Sequence, residues 1–251
     1  GMSPARKKKA TRKKSARKKA VRKKARKKKA KARGYQPRRP TRAQKMQAAR
    51  IVSWLDETFP DADCALDHRN AYELLAATIL SAQCTDARVN MVTPALFERF
   101  PTADSLADAD LSELEELVRT TGFFRNKARS LKGLGQALVA DHGGEVPRSM
   151  AELHALPGVG RKTANVVLGN AFGIDEGVVV DTHVQRISGL LGLTTEKTPE
   201  KIERDLMELV PRDHWTVWSH LLILHGRNVC KARRPLCDRC VLADLCPSAA
   251  I

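Results

Sequence analysis

Residues 156–164 read Leu156-Pro157-Gly158-Val159-Gly160-Arg161-Lys162-Thr163-Ala164. Two glycines flank one apolar residue directly after a proline, a composition that predicts a tight turn between a short helix and a longer one. Glycine admits positive φ and lets a backbone come close to a ligand. The amides that open the second helix lack intrahelical acceptors and sit at the positive end of its dipole. Such an array accepts a phosphate without help from a side chain. Glycine also serves packing alone in many helix–helix turns, but the whole nonapeptide is more specific than that reading requires.

Outward from this turn the helical pattern continues in both directions. Ile51, Val52, Trp54 and Leu55 give an amphipathic segment that stops near Pro60. Tyr72 to Leu80 is an apolar run long enough for a buried helix. Thr85 is placed to cap the next helix, which carries Val89, Val92, Leu96 and Phe97. Ser112 with Glu115 fits a capping box before Leu114, Leu117 and Val118. Asn126 to Val139 follows and is broken at Gly143-Gly144. Gly177 to Val180 hints at a strand, and an isolated strand makes no sheet. The expected fold class is all-α, with short loops between many helices.

The 251 residues hold 45 Lys+Arg against 28 Asp+Glu, a net charge of +17. That total conceals a split, because 24 of the basic residues and no acid lie in residues 1–50, leaving residues 51–251 at −7. Gly1, ahead of Met2, reads as an expression remnant. Residues 3–33 are Lys/Arg/Ala blocks whose like charges repel on a free helix, so this tail is expected to be disordered. Its composition suits sequence-independent phosphate contact with steep salt dependence. A solubilising or nuclear-targeting stretch is the alternative, and no apolar face accompanies the basic residues as a mitochondrial transit peptide requires. Gly34 to Pro40 marks a linker. No apolar run approaches the roughly 18 residues of a membrane span, and no signal-peptide core is present. Membrane and secreted classes are therefore excluded, and the expected location is cytoplasmic, beside the nucleoid, or nuclear or mitochondrial in a eukaryote.

Four of the six cysteines crowd together as Cys230-x6-Cys237-x2-Cys240-x5-Cys246. Local crowding points to metal ligation rather than to a disulfide framework. Zinc modules pair two closely spaced couples across a longer loop, whereas this single C-x2-C is flanked by one cysteine on each side. Four thiolates in that array suit a [4Fe–4S] cluster, with zinc left open on spacing alone. Lys231, Arg233 and Arg234 lie in the loop between the first two cysteines, where they offer phosphate contacts. Cys64 and Cys84 stand apart and are expected to be small buried side chains.

The nonapeptide resembles the helix-hairpin-helix of the endonuclease III family of DNA base-excision glycosylases. The resemblance runs on through Asn165-Val166-Val167-Leu168 and Val180-Asp181-Thr182-His183-Val184. It also takes in Leu80-Ser81-Ala82-Gln83-Cys84-Thr85-Asp86 and the cysteine quartet, spanning residues 45–248. It implies a two-domain helical fold: residues 64–174 form one domain with the helix-hairpin-helix, residues 43–63 and 175–251 form the cluster domain, and residues 1–42 are tail and linker. The cofactor implied is a [4Fe–4S] cluster held by the quartet, which serves DNA docking rather than electron transfer.

Lys162 is expected in the first turn of a helix, where the dipole and partial burial would depress its pKa and make it a nucleophile able to form a Schiff base at a sugar C1′. On the residues alone a phosphate contact is an equal reading; by resemblance Lys162 falls on the catalytic lysine. Asp181 suits a helix N-cap, with Thr182 and Gln185 as a capping box. By resemblance it is the essential aspartate that deprotonates Lys162 or stabilises oxocarbenium character. His183 and His225 read as structural hydrogen-bonders. Gln83 is implied to enter the duplex when a nucleotide leaves the stack, with Phe123 as an opposing wedge; a core role for Phe123 is equally open. Gly158, Val159, Gly160 and Arg161 complete the implied DNA contacts. Cys84, Phe123 and Phe124 depart from the residues expected there and bear on opposite-base preference.

The implied activity is removal of oxidised pyrimidines from duplex DNA, followed by β-elimination at the abasic site. The partner is double-stranded DNA with damaged bases or abasic sites, bound by a monomer. The rivals are a monofunctional glycosylase using Asp181-activated water and a non-catalytic DNA-binding protein.

Overall fold

Apolar residues at helical spacing between polar caps fold as helices throughout the described residues, 39–250 of the computed structural model, and no strand forms among them. The Lys/Arg/Ala-rich segment 3–33 lies outside the described residues. Eleven α-helices follow one another there. They are α1 Arg42–Thr58, α2 Ala71–Leu80, α3 Asp86–Arg99, α4 Ala103–Ala107 and α5 Leu111–Val118. Then come α6 Phe124–His142, α7 Met150–Ala155, α8 Arg161–Phe172, α9 Thr182–Leu190, α10 Pro199–Leu209 and α11 Trp215–Asn228. The all-α expectation holds, and no helix is long and apolar enough to cross a membrane.

Side-chain caps set most of the starts. Thr41 and Gln44 form a capping box at α1, and Thr85 Oγ1 accepts from Arg88 N to open α3. One cap differs from expectation: Asp110, not Ser112, caps α5 by accepting from Glu113 N. Asp181 caps α9 as its position suggested, accepting from Val184 N without a Thr182–Gln185 box. In each case an acidic residue adopts the extended backbone that a cap requires. Residues 177–180 form no strand, and Val178, Val179 and Val180 are buried by side-chain packing instead.

Two separate apolar clusters result. The first draws on Leu66 to Leu168, with Leu74, Leu75, Leu80, Leu114, Leu131 and Leu134 fully enclosed. The second combines Ala48 to Leu55 of α1 with residues between Val178 and Leu242, around the buried indole of Trp218. The chain therefore leaves the second cluster after α1 and returns to it through residues 173–181. In the first cluster α6 lies so close to α4 that a Cβ on Gly135 would stand 2.6 Å from Ala107 N. Between the clusters, Asp175 Oδ1 accepts from Thr216 N and Oγ1 at 3.1 and 2.6 Å, and Arg227 Nη2 meets Asp86 Oδ2 at 3.1 Å.

His214 ties α1 to the second cluster, with Nε2 at 3.0 Å from Asp56 Oδ2 and Nδ1 at 2.9 Å from Asp213 Oδ1. Burial works against the charged ring, but the two carboxylates outweigh it and raise the imidazole pKa above its usual value. A group with a raised folded-state pKa stabilises fully below its unfolded value, about 6.5, and loses that contribution as pH rises through the folded value. His214→Gln is therefore expected to lower the melting temperature more at pH 6 than at pH 9. A difference that is the same at both pH values would show that the ion pairs add nothing.

Candidate functional site

The 156–160 turn has the geometry its composition predicts. Gly158 has φ +76°, and a Cβ there would also press on Ser130 Cβ at 3.0 Å. Val159 is buried at 6% exposure, so its side chain anchors the turn and only its backbone faces outward. Gly160 is the N-cap of α8 and no side chain caps that helix. A Cβ on Gly160 would meet nothing within 4 Å. Among the described residues, the first amides of α8 thus have no side-chain cap, the arrangement an anion occupies.

Lys162 stands in the first turn of α8 and is exposed, not partly buried as expected. Among the described residues it is in no ion pair, with Asp181 or any other carboxylate. Its neighbour Arg161, expected on DNA, has another engagement. Nε and Nη2 meet Glu203 Oε2 and Oε1 at 2.9 and 3.0 Å, and Asn165 Nδ2 donates to Glu203 Oε1 at 2.9 Å. Glu203 is buried, so this clasp holds the start of α8 firmly against α10. The pair raises the Arg161 pKa further, chiefly through the hydrogen bonds to Glu203. Neither Glu203 nor Asn165 was singled out in the sequence, and nothing local marks them, because the partners lie 42 and 38 residues apart.

Asp181 ends the 173–181 return segment and is half-buried. Its Oδ1 accepts from Val184 N at 2.8 Å, which caps α9 and fixes the carboxyl group. One oxygen thus serves the helix, and the other makes no hydrogen bond among the described residues. His220 of α11 lies in the same electrostatic neighbourhood. Its Nε2 is 2.7 Å from Asn170 Oδ1, and burial lowers its pKa against the opposing charges of Asp63, Asp86 and Asp181.

Gln83 and Phe123 are the only non-glycine residues with positive φ among those described, at 53° and 48°. Left-handed backbone is costly for such side chains and persists only where surroundings impose it. Gln83 is exposed, and Phe123 exposes 65% of its surface. The choice between core and surface for Phe123 is thereby decided for the surface. Phe124, next to it, packs against the first cluster instead.

All four cysteines of the quartet line one cavity of about 80 Å³, with Ile187, Leu190, Leu191 and Leu242 in its walls. Four thiols round a common cavity, with no histidine or carboxylate among its four ligating candidates, fit the donor set of a [4Fe–4S] cluster. Donors face the sulfurs as thiolate charge demands. Arg186 Nη1 donates to Cys230 Sγ at 3.7 Å, and His225 Nε2 lies 3.6 Å from Cys240 Sγ. Burial first, and Arg186 second, push the His225 pKa down to about 4, so its ring is neutral near pH 7. Lys231, Arg233 and Arg234 are exposed on the loop that leaves this cavity.

Residues 76–212 match the HhH-GPD superfamily of base excision DNA repair proteins. Residues 230–246, from the first cysteine of the quartet to the last, match the iron-sulfur binding domain of endonuclease III. Endonuclease III of Synechocystis sp. is 56% identical over 207 residues, covering 82% of this chain and 94% of that protein. Endonuclease III of Bacillus subtilis is 46% identical over 193 residues, covering 76% and 88%. A solved endonuclease III trapped as a covalent intermediate with DNA superposes with a TM-score of 0.77 at 45% identity, covering 82% of this chain and 96% of that one. With family models matching both the helix-hairpin-helix region and the cysteine quartet, and relatives of this identity and coverage, the chain belongs to the endonuclease III family of iron–sulfur DNA base-excision glycosylases.

Proposed function

We propose that the protein is a bifunctional glycosylase and abasic-site lyase acting on oxidised or ring-saturated pyrimidines, such as thymine glycol, in duplex DNA. The observation that carries this reading is the exposed Lys162 amine beside an open phosphate-binding hairpin. A relative at 45% identity has been trapped in covalent linkage to DNA.

In this reading the hairpin amides of Gly158 to Lys162 grip a phosphate and bring C1′ of the extruded nucleotide to Lys162. The unprotonated Nζ attacks C1′ as the C1′–N bond breaks, and the departing base anion takes a proton from water. The free oxygen of Asp181 stabilises the positive charge that develops on the sugar and takes the proton that Nζ must shed. Asp181 returns that proton to O4′ as the C1′–O4′ bond breaks, and the opened sugar is left with an iminium between Nζ and C1′. Loss of a C2′ proton then expels the 3′ phosphate, and water returns the free lysine. Gln83 and Phe123 fill the space the nucleotide vacates. Lys231, Arg233 and Arg234 add backbone contacts from a loop that the cluster, when bound, holds rigid. The protein acts as a monomer on lesion-bearing and abasic DNA.

Borohydride reduction of a thymine-glycol duplex during turnover tests this reading. A covalent adduct is expected with the intact protein and none with Lys162→Gln. Base release that survives in Lys162→Gln, with no adduct from either protein, would establish a monofunctional enzyme working through Asp181 and water. Neither adduct nor release would leave a DNA-binding protein.

A further inference from the structure

We propose that Lys127 is a positioning residue that locks the two turns bearing Gln83 and Phe123 to one another, so that both side chains meet DNA as a single rigid device. The inference rests on the reading above in which these two side chains enter the duplex.

The geometry is specific. Lys127 lies in the first turn of α6 and is 6% exposed. Its Nζ donates to Leu80 O at 2.8 Å and to Thr121 O at 2.7 Å. Leu80 ends α2, and Gln83 follows in the next turn. Thr121 ends the 3-10 turn Arg119–Thr121, and Phe123 follows after Gly122. One ammonium thus joins the carbonyls that precede both left-handed residues, across 47 residues of sequence in one direction and 6 in the other.

Burying an ammonium without a carboxylate costs several kcal/mol unless its protons are satisfied. Among the described residues no carboxylate pairs with Lys127: two backbone carbonyls hold it, and burial lowers its pKa against the opposing influence of Cys84. Fold stability alone would be served as well or better by an apolar side chain at this depth. What the ammonium supplies is a fixed distance between two turns that are each strained at a non-glycine residue. A free turn with a positive-φ Gln or Phe relaxes; a clamped one holds its side chain outward. The strain at Gln83 and Phe123 and the buried cation are then two sides of one construction.

The test compares the full-length protein with Lys127→Met and Lys127→Gln on two substrates. One is duplex DNA with thymine glycol beside 2-aminopurine, whose fluorescence reports unstacking. The other carries a preformed abasic site, which has no base to extrude. Lys127→Met is expected to slow unstacking and base release by about 10- to 100-fold, the penalty for loosened positioning. That loss should exceed the loss in abasic-site cleavage at least tenfold, and adding Gln83→Ala and Phe123→Ala should deepen it little. Should Lys127→Met not fold, Lys127→Gln, which retains two N–H donors, is expected to show the same imbalance at smaller size. Equal losses on both substrates would reduce Lys127 to a structural residue and overturn the proposal. If Gln83→Ala with Phe123→Ala leaves unstacking at the wild-type rate, the insertion reading itself fails, an outcome separate from one in which those residues matter and Lys127 does not.

Discussion

Asp181→Asn is expected to reduce single-turnover base release by about 10²- to 10⁴-fold, the range associated with a positioned acid–base group, while leaving the fold intact. Asn caps helices as well as Asp does, so the bond from Val184 N that opens α9 persists in the variant. What disappears is the negative charge on the oxygen not used by the cap. Asp181→Ala removes both functions, and should cost about 1 kcal/mol of stability in addition. For a protein of this size that corresponds to a fall of roughly 2–4 °C in melting temperature. Thermal melts and rates for the pair of variants therefore separate the helix cap from the chemistry. An Asn variant as fast as the wild type would make Asp181 a cap and nothing more.

Loss of the iron–sulfur cluster should act on a different part of the molecule and be as large for DNA binding. Between Cys230 and Cys246 the chain has two 3-10 turns, Cys237–Arg239 and Ala243–Leu245, and one wholly buried apolar side chain, Leu242. Gln47 Nε2 donates to Leu245 O at 2.9 Å, and Cys246 Sγ donates to Leu190 O at 3.6 Å, so few protein contacts anchor the segment. Metal binding to such a segment is also its folding energy. Removing the cluster by chelation under oxidising conditions is expected to bleach the visible absorption and abolish amide protection in residues 230–246. Protection in α2 and α8, inside the first cluster of apolar residues, should survive. With Lys231, Arg233 and Arg234 no longer presented together, the salt dependence of DNA affinity should weaken by about one unit of slope per lost phosphate contact, up to about 3. An unchanged slope after bleaching would remove these three residues from the interface.

Much of this architecture is legible in the residues because it is local. The apolar run from Tyr72 to Leu80 becomes α2, Thr85 caps α3, and the Gly158-Val159-Gly160 turn has the predicted form. Helix caps were displaced where two acceptors compete within a few residues, as at Asp110 and Ser112, since backbone torsion and not composition chooses between them. The exposure of Lys162 and the surface position of Phe123 depend on how the helices pack, which periodicity does not carry. Least legible are the long-range polar contacts. Arg161 reads as a DNA contact by resemblance, together with the residues beside it, and only the fold brings Glu203 to it. Nothing local in the sequence sets Lys127 apart from other lysines, because its partners Leu80 O and Thr121 O are brought to it by the fold.

Gly160 carries a consequence for how this protein can change over time. Its backbone is extended, with φ −88° and ψ 174°, and an added Cβ would touch nothing. At an N-cap with that geometry, Ser, Asn or Asp would strengthen the helix by a few tenths of a kcal/mol over Gly. The fold therefore forgoes a stabilising residue at a position where it could readily accept one. On the proposed phosphate contact, selection for thermal robustness and selection for repair would pull this codon in opposite directions. Lineages that drift toward a better-capped α8 would keep a sound molecule while placing a side chain, and with Asp a negative charge, at the proposed phosphate site.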